Sequence, residues 1–178
     1  ADGAEAVIRV QQDRADALVL IGADASEELA REAQRQSMPG IVIDRQVRGV
    51  DSVVSDNRGG GEEVTAHVLR QGYRRLAFVC ESFADPSFAA RRLGFEQAIA
   101  QSGIAGLDVR QYELGFAWSA APAVVEELCR SFKPPFALVA GNDMTALHLL
   151  GILKAKGLSI PQDVGLAGFD DIAQAGLV

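Results

Sequence analysis

Short apolar runs alternate with segments of helical periodicity along most of this 178-residue sequence. Two of the runs, 136–140 and 164–167, contain only apolar residues and glycine, a composition typical of strands buried in a parallel sheet. The strand-like runs lie at 16–22, 41–44, 52–55, 76–80, 107–114, 136–140 and 164–167. The helical patterns lie at 5–14, 27–36, 58–71, 85–101, 119–132 and 142–157. This alternation predicts an α/β fold built on parallel sheets that helices flank.

Most of the predicted strands are followed by a carboxylate or a carboxamide. These side chains belong to Asp24, Asp44, Asp56, Asn57, Glu81, Asn142, Asp143, Asp170 and Asp171. In open parallel sheets, ligands bind beyond the carboxyl ends of the strands, so these positions indicate a binding site. Asp and Asn also cap helices, and for Asp56 and Asp143 capping is an equally good interpretation. For Asn142 and Asp170 ligand binding is the better one.

Charge and motifs argue against two classes of function. With 24 acidic and 17 basic residues the net charge is −7, which disfavours binding of this segment to a nucleic-acid backbone. The sequence contains no nucleophile elbow, zinc-protease motif, phosphate-binding P-loop or dinucleotide-binding glycine fingerprint. The glycine run 59–61 is followed by no lysine and is better explained by close packing at a helix start. We therefore expect a binding protein and no enzyme activity.

The histidines and cysteines indicate neither a metal site nor a disulfide. His67 and His148 lie in helical segments without a second ligand at metal spacing, and Cys80 and Cys129 form no C-x-x-C pair. The sequence shows no signal-peptide pattern at its start and no apolar run of the roughly 18–20 residues that span a bilayer. We predict no metal, no cofactor and a cytoplasmic location with reduced thiols.

Six segments, in order, resemble the LacI/GalR family of bacterial transcription regulators. Residues 71–79, QGYRRLAFV, resemble its GHRRIAFV run, and residues 91–95, RRLGF, resemble its RxxGF helix. The pair at 142–143 matches ND, and residues 160–172 match VPxDV followed by GFDDI. Residues 16–20 and 54–57 resemble DGLIL and VxxDN. Each match is weak alone, but their order over nearly the whole chain makes the resemblance specific.

The resemblance implies two similar α/β lobes of the periplasmic-binding-protein-like type I fold, with an effector cleft between them. We predict an N-terminal lobe at 1–80 and a C-terminal lobe at 81–178. Regulators of this family begin with a helix-turn-helix headpiece and continue past FDDI with a segment that returns to the first lobe. We expect the present chain to be a fragment that lacks both parts.

The resemblance also implies four ligand-binding residues: Arg91 of the RxxGF helix, Asn142, Asp170, and Trp118 after the preceding strand. Arginine donates in a fixed fork, asparagine donates and accepts, and aspartate accepts from hydroxyls, which suits a sugar beside an aromatic ring. Purine-sensing members carry Arg and Thr shortly before the RxxGF helix, where 85 and 87 are Asp and Ser here, so we favour a sugar or sugar derivative. The alternatives are a core aromatic for Trp118 and a surface ion pair for Arg91.

The predicted helix at 142–157 has two apolar arcs, one formed by Leu149, Ile152 and Leu153 and the other by Met144, Leu147 and Leu150. One arc must pack on the sheet. Because regulators of this family dimerise side by side through this helix, we assign the arc of Met144, Leu147 and Leu150 to a homodimer contact. The alternative is a neighbouring helix of the same lobe that covers this arc.

The sequence therefore predicts the effector-sensing part of a LacI-type regulator, which binds a small sugar-like molecule to control operator binding by a headpiece. A periplasmic sugar-binding protein with the same lobes is the main alternative, and its gene would encode a signal peptide and no headpiece. A Rossmann-like enzyme is a third hypothesis, disfavoured by the missing glycine fingerprint.

Overall fold

The structure is a computed structural model that describes residues 15–21 and 27–177. The chain divides into two compact units, Ala1–Asp56 and Asn57–Val178. The helix predicted at 5–14 and the polar position Asp24 lie outside the described residues. In the part of the chain that is described, no helix is long and apolar enough to cross a membrane.

The first unit contains a parallel sheet of strands β1 (Leu18–Ile21), β2 (Gly40–Ile43) and β3 (Asp51–Val53), in that order. Helix α1 (Glu27–Arg35) lies between β1 and β2 in the chain, as expected because parallel strands need a crossover connection. Val42 of the central strand is completely buried against Ala30 of the helix and Val47 of the following loop.

The second unit contains the larger sheet, with the strand order β5-β4-β6-β7 and all strands parallel. Its strands are β4 (Arg75–Cys80), β5 (Asp108–Glu113), β6 (Phe136–Ala140) and β7 (Val164–Ala167). Its helices are α2 (Asn57–Arg70), α3 (Pro86–Gln101), α4 (Ala121–Ser131) and α5 (Asp143–Ala155). Two short 3-10 helices lie at Phe116–Trp118 and Ala173–Leu177. The predicted α/β fold of parallel sheets flanked by helices is confirmed.

Both faces of this sheet are buried, because successive side chains of a strand point to opposite faces. On β4, Leu76 and Phe78 pack with α2 and α3, while Ala77 and Val79 pack with α4 and α5. Every residue of β6 is buried. The unbroken apolar composition of these two strands therefore reflects a sheet covered by helices on both sides.

The boundary predicted after residue 80 falls inside this second unit. Strand β4 pairs with β5 on one side and β6 on the other, so it lies at the centre of the second sheet. The division between the units lies instead between Asp56 and Asn57, after the short connection that follows β3 and directly before α2. The apolar pattern of β4 identified a buried strand, but it carried no information on which sheet the strand joins.

Helices α2 and α3 pack closely enough that two positions in their contact exclude a side chain. A Cβ on Gly61 would lie 2.3 Å from the carbonyl oxygen of Arg91, and one on Gly94 would lie 2.1 Å from that of Arg58. Both distances are well below a van der Waals contact. The interpretation of the run 59–61 as close packing at a helix start is confirmed, and this packing brings the start of α2 beside Arg91.

Candidate functional site

At the carboxyl edge of the larger sheet, the side chain of Arg91 is contacted from three other segments: the start of α2, the β6–α5 connection and the turn after β7. Arg91 lies on α3 and is 9% exposed. Its Nε donates to Oδ1 of Asn57 at 2.8 Å, and its Nη1 donates to the carbonyl oxygen of Gly141 at 2.6 Å. Its Nη2 forms an ion pair with Oδ1 of Asp170 at 3.1 Å. Arg91 is thus a buried residue with partners from other elements, unlike the surface ion pair that was its alternative.

An aromatic ring covers one face of this guanidinium. The Cζ of Arg91 lies 3.8 Å from the centre of the Phe169 ring, a distance at which the ring quadrupole attracts a cation. The Phe169 ring in turn packs on α2, where a Cβ on Gly60 would lie 2.6 Å from its Cε2. Phe169 immediately precedes Asp170, so one turn supplies both the ring and the carboxylate that contact Arg91.

Position 141 also requires glycine. A Cβ there would lie 2.7 Å from the Cβ of Cys80 and 2.9 Å from the Phe88 ring. The absence of a side chain lets the β6–α5 connection approach the end of β4 and present its carbonyl to Arg91. Burial raises the pKa of the Cys80 thiol to about 12, so this cysteine stays protonated beneath the site at neutral pH.

The turn after β7, residues 168–172, is held by the first residue of α5. The backbone N–H of Asp143 donates to the carbonyl oxygen of Phe169 at 2.8 Å. The backbone N–H of Ile172 donates to Oδ2 of Asp143 at 3.0 Å. Between these two bonds, Asp170 and Asp171 have φ values of +109° and +53°, in the region that favours glycine.

Asn142 is the N-cap of α5. Its Oδ1 accepts from the backbone N–H of Thr145 at 2.8 Å. Its carboxamide oxygen is therefore used within the helix start, and ligand recognition by Asn142 would fall to its amide nitrogen. The next residue, Asp143, contacts the turn after β7 instead. Asn142 thus caps the helix, and Asp143 binds the turn.

Trp118 lies in the 3-10 helix after β5 and is partly buried against the core on the α4 and α5 side of the sheet. Its Nε1 donates to Oγ1 of Thr145 at 3.1 Å, and its ring stacks on His148 with centroids 5.1 Å apart. Trp118 therefore connects to the Asn142 cap through Thr145. None of its described contacts is with Arg91.

The structure thus brings Arg91 and Asp170 into direct contact and places Asn142 next to the carbonyl that binds Arg91. Sequence reasoning did not identify the roles of Asn57, Asp143 and Phe169. The position of Asn57 and Asp143 after predicted strands was a signal, but capping explained it equally well. Phe169 carried no signal beyond its place in the family motif.

The arc of α5 assigned to a dimer contact lies away from the core. Met144 is 49% exposed, and Leu147 and Leu150 are half-buried along a groove that Ile160, Leu166 and Ala175 also line. The opposite arc packs in the core, with Leu149 and Leu153 fully buried.

Residues 15–21 and 27–177 contain no cluster of three His, Cys, Asp or Glu side chains that could hold a metal ion. The groups gathered around Arg91 are instead hydrogen-bond donors and acceptors and an aromatic ring. Such groups are of the kind that contact small polar ligands in protein pockets.

Comparison with known proteins agrees with this picture. The family model for the periplasmic binding protein-like domain matches residues 65–178. The transcriptional regulator KdgR of Bacillus subtilis is 30% identical over 175 residues, which are 94% of this chain and 50% of the relative. The transcriptional repressor PurR of Vibrio campbellii is 26% identical over 167 residues, 92% of this chain and 50% of the relative. The chain spans about half the length of these curated relatives.

Solved structures show the same fold. A sugar-binding transcriptional regulator of the LacI family from Escherichia coli, complexed with phosphate, superposes with a TM-score of 0.78 and 27% identity. The match covers 98% of this chain and 64% of that one. The resemblance inferred from the six sequence segments is confirmed, and the chain belongs to the family of periplasmic binding protein-like domains, as found in transcription regulators of the LacI/GalR type.

Proposed function

We propose that this chain is the effector-sensing region of a bacterial LacI-type transcription regulator. It binds a sugar or sugar derivative and thereby controls the affinity of a helix-turn-helix headpiece, outside these residues, for operator DNA. The protein acts in the cytoplasm as a binding protein and catalyses no reaction. The relatives are named as transcription regulators, which disfavours the alternative of a periplasmic transport component.

The contact of Arg91 with Asp170 is the observation that carries this proposal. Sugar hydroxyls both donate and accept hydrogen bonds, so they need acceptors and donors at close range. Asp170 is 40% exposed at its side chain while Arg91 is buried, so the carboxylate is accessible and its charge is already balanced. A site of this kind suits a neutral polyhydroxy ligand, with Arg91, Asn142 and Asp170 as its polar contacts and Trp118 beside the Asn142 cap.

Two further observations favour a sugar over a purine. The Asp85 carboxylate, at a position where purine-sensing regulators have arginine, accepts from the backbone N–H groups of Ser87 and Phe88 at 2.8 and 3.1 Å. It is therefore used to cap α3 and does not supply the donor that arginine would. In addition, the Escherichia coli regulator of similar fold is named as sugar-binding.

Homodimer formation is part of the same proposal. The exposed side chain of Met144 and the half-buried side chains of Leu147 and Leu150 form an apolar strip on α5 that the core does not use. A two-fold symmetric contact would bury this strip against its own copy, and a dimer of this kind would present two headpieces to a palindromic operator.

Isothermal titration of the 178-residue chain with single compounds tests the ligand class. The compounds are neutral monosaccharides, sugar phosphates, and the purines adenine, guanine and hypoxanthine. We expect a neutral monosaccharide to bind and the purines to give no heat. Binding of a purine with no response to any sugar would contradict the proposal. For the regulatory step, the same sugar must change operator affinity of the full-length protein in a gel-shift titration.

A further inference from the structure

Asp143 contacts the turn at 168–172 at both ends, although it belongs to a different element. It is 7% exposed at the first position of α5. Its carboxylate accepts from the N–H of Ile172, and its own N–H donates to the carbonyl of Phe169. These two bonds enclose Asp170 and Asp171 and no other residues. Asp143 therefore contacts the backbone on both sides of Asp170, the partner of Arg91.

This turn needs an external constraint. Asp170 and Asp171 both have positive φ, a conformation that disfavours residues with a Cβ and persists only where the surroundings enforce it. Gly168 leaves room for the constraint, because a Cβ there would lie 2.0 Å from Oδ1 of Asp143. The carboxylate of Asp143 thus packs directly on the backbone of the turn.

Asp143 is not required as the cap of its helix. Asn142 accepts from the N–H of Thr145 and fills that role. A negative charge in the first turn of a helix also interacts favourably with the helix dipole, and this is the competing explanation for an aspartate here. The two explanations differ in one respect: the dipole needs the charge, whereas the turn needs only an oxygen that accepts from Ile172.

We propose that Asp143 is a positioning residue that holds the turn at 168–172 so that the Asp170 carboxylate faces Arg91. Its relevance to ligand binding rests on the proposed function, because the Arg91–Asp170 pair belongs to the proposed sugar site. The positioning itself can be measured without any ligand. The guanidinium of Arg91 is a direct reporter, since an ion pair restricts rotation of its Nη2 group.

The test is nitrogen-edited NMR of the Arg91 side chain in the ligand-free 178-residue protein, with Arg91→Lys used to assign the signals. In the unmodified protein we expect resolved Nη2 proton signals, and Asp170→Ala should abolish them. Asp143→Ala should abolish them too. Asp143→Asn, which removes the charge but keeps an accepting oxygen, should retain them. Asp143→Ser, too short to reach Ile172 but polar enough for a first helical turn, replaces Asp143→Ala if that variant does not fold.

Asp163→Ala is the matched control. Oδ2 of Asp163 accepts from the N–H of Ser159 at 2.8 Å in a turn before β7, a comparable contact far from Arg91 along the strand. It should leave the Nη2 signals unchanged. Unaltered signals in Asp143→Ala, lost signals in Asp143→Asn, or lost signals in Asp163→Ala would each overturn the proposal. Failure of every sugar to bind would refute the proposed function and leave this result intact.

Discussion

Arg91 and Phe169 form the closest cation–ring contact described in the structure, with the guanidinium carbon 3.8 Å from the ring centre. The two residues are far apart in sequence, on α3 and in the turn after β7. Because the turn places Asp170 at the edge of the same guanidinium, Arg91 is held on one face by an aromatic ring and at one edge by a carboxylate. Displacing this turn would therefore disturb both contacts together.

Replacing Phe169 by leucine should destabilise the second unit. The substitution retains apolar bulk against Gly60 but removes the ring, and a partly desolvated cation–ring contact contributes about 0.5–2 kcal/mol. We expect the free energy of unfolding in urea to fall by an amount in that range. Phe83→Leu is the control, since its ring lies 4.7 Å from the guanidinium of Arg92, which is a longer distance to a less buried cation. An equal or larger loss for Phe83→Leu would contradict this account.

Truncation of either member of the Arg91–Asp170 pair should weaken binding of the sugar identified by titration. We expect Arg91→Ala and Asp170→Ala each to reduce the binding free energy by about 2–4 kcal/mol, because a charged partner is left without its counterpart. Calorimetry measures the effect. Arg110→Ala provides the comparison, as Arg110 pairs with Asp108 and Glu127 on the surface and should leave affinity unchanged. Near-normal affinity in both site variants would remove these residues from the ligand site.

The helix contact between α2 and α3 should tolerate no side chain at Gly94. A methyl group there would lie 2.1 Å from the carbonyl oxygen of Arg58, so Gly94→Ala must push the helices apart. We expect a loss of about 1–3 kcal/mol in the free energy of unfolding. Gly151→Ala in α5 is the opposite case, because no atom outside the adjoining backbone of α5 lies within 4 Å of its added Cβ. That variant should gain up to about 1 kcal/mol from higher helix propensity. Similar effects for both variants would refute the close contact.

Cys80 should make the protein less stable in alkaline solution. Burial raises the pKa of its thiol from 9.0 to about 12 in the folded state. Below pH 9 the thiol is protonated in both states and contributes no pH dependence. Above pH 9 only the unfolded chain loses this proton, so stability falls by about 1.4 kcal/mol per pH unit from this group. Urea unfolding at pH 8 and pH 10 should show a steeper decline for the unmodified protein than for Cys80→Ala, and parallel declines would contradict the assignment.

Introducing charge on the apolar strip of α5 should produce a folded monomer. In the double variant Leu147→Glu and Leu150→Glu, two buried carboxylates would oppose each other across a two-fold contact, which strongly disfavours association. Analytical ultracentrifugation reports the mass, and circular dichroism reports the fold. Leu93→Glu, at a residue 47% exposed on α3, is the control and should remain a dimer. An unchanged oligomer would show that the dimer contact lies elsewhere. An unfolded double variant would show that the strip belongs to the core.

Much of the fold could be predicted because the pattern of apolar residues along the sequence indicates which segments are buried. The strands at Phe136–Ala140 and Val164–Ala167 were evident from runs without a charge, and Asp85 with Pro86 marked the start of α3. The assignment of β4 to a sheet could not be predicted. Pairing depends on partners far along the chain, and a buried strand has the same composition in either lobe.

The candidate site was predicted less completely, for a related reason. Arg91 and Asp170 were found through the family motifs, but Asn57 lies 34 residues before Arg91, and no local pattern pairs an amide with a guanidinium. Asn142 and Asp143 are the clearest example of roles that the sequence alone could not distinguish. Either could cap α5, and only the three-dimensional path of residues 168–172 assigns the cap to Asn142 and the turn to Asp143.

The positive φ angles of Asp170 and Asp171 lower the stability of the folded protein. Each costs about 1–3 kcal/mol relative to an unstrained residue, and glycine would relieve most of that cost. A selection for thermal tolerance alone would therefore enrich glycine at both positions. At position 171 the gain removes no side chain that is described as contacting Arg91. At position 170, glycine would remove the carboxylate that contacts Arg91. A substitution that raises thermal stability at this residue would therefore weaken ligand binding.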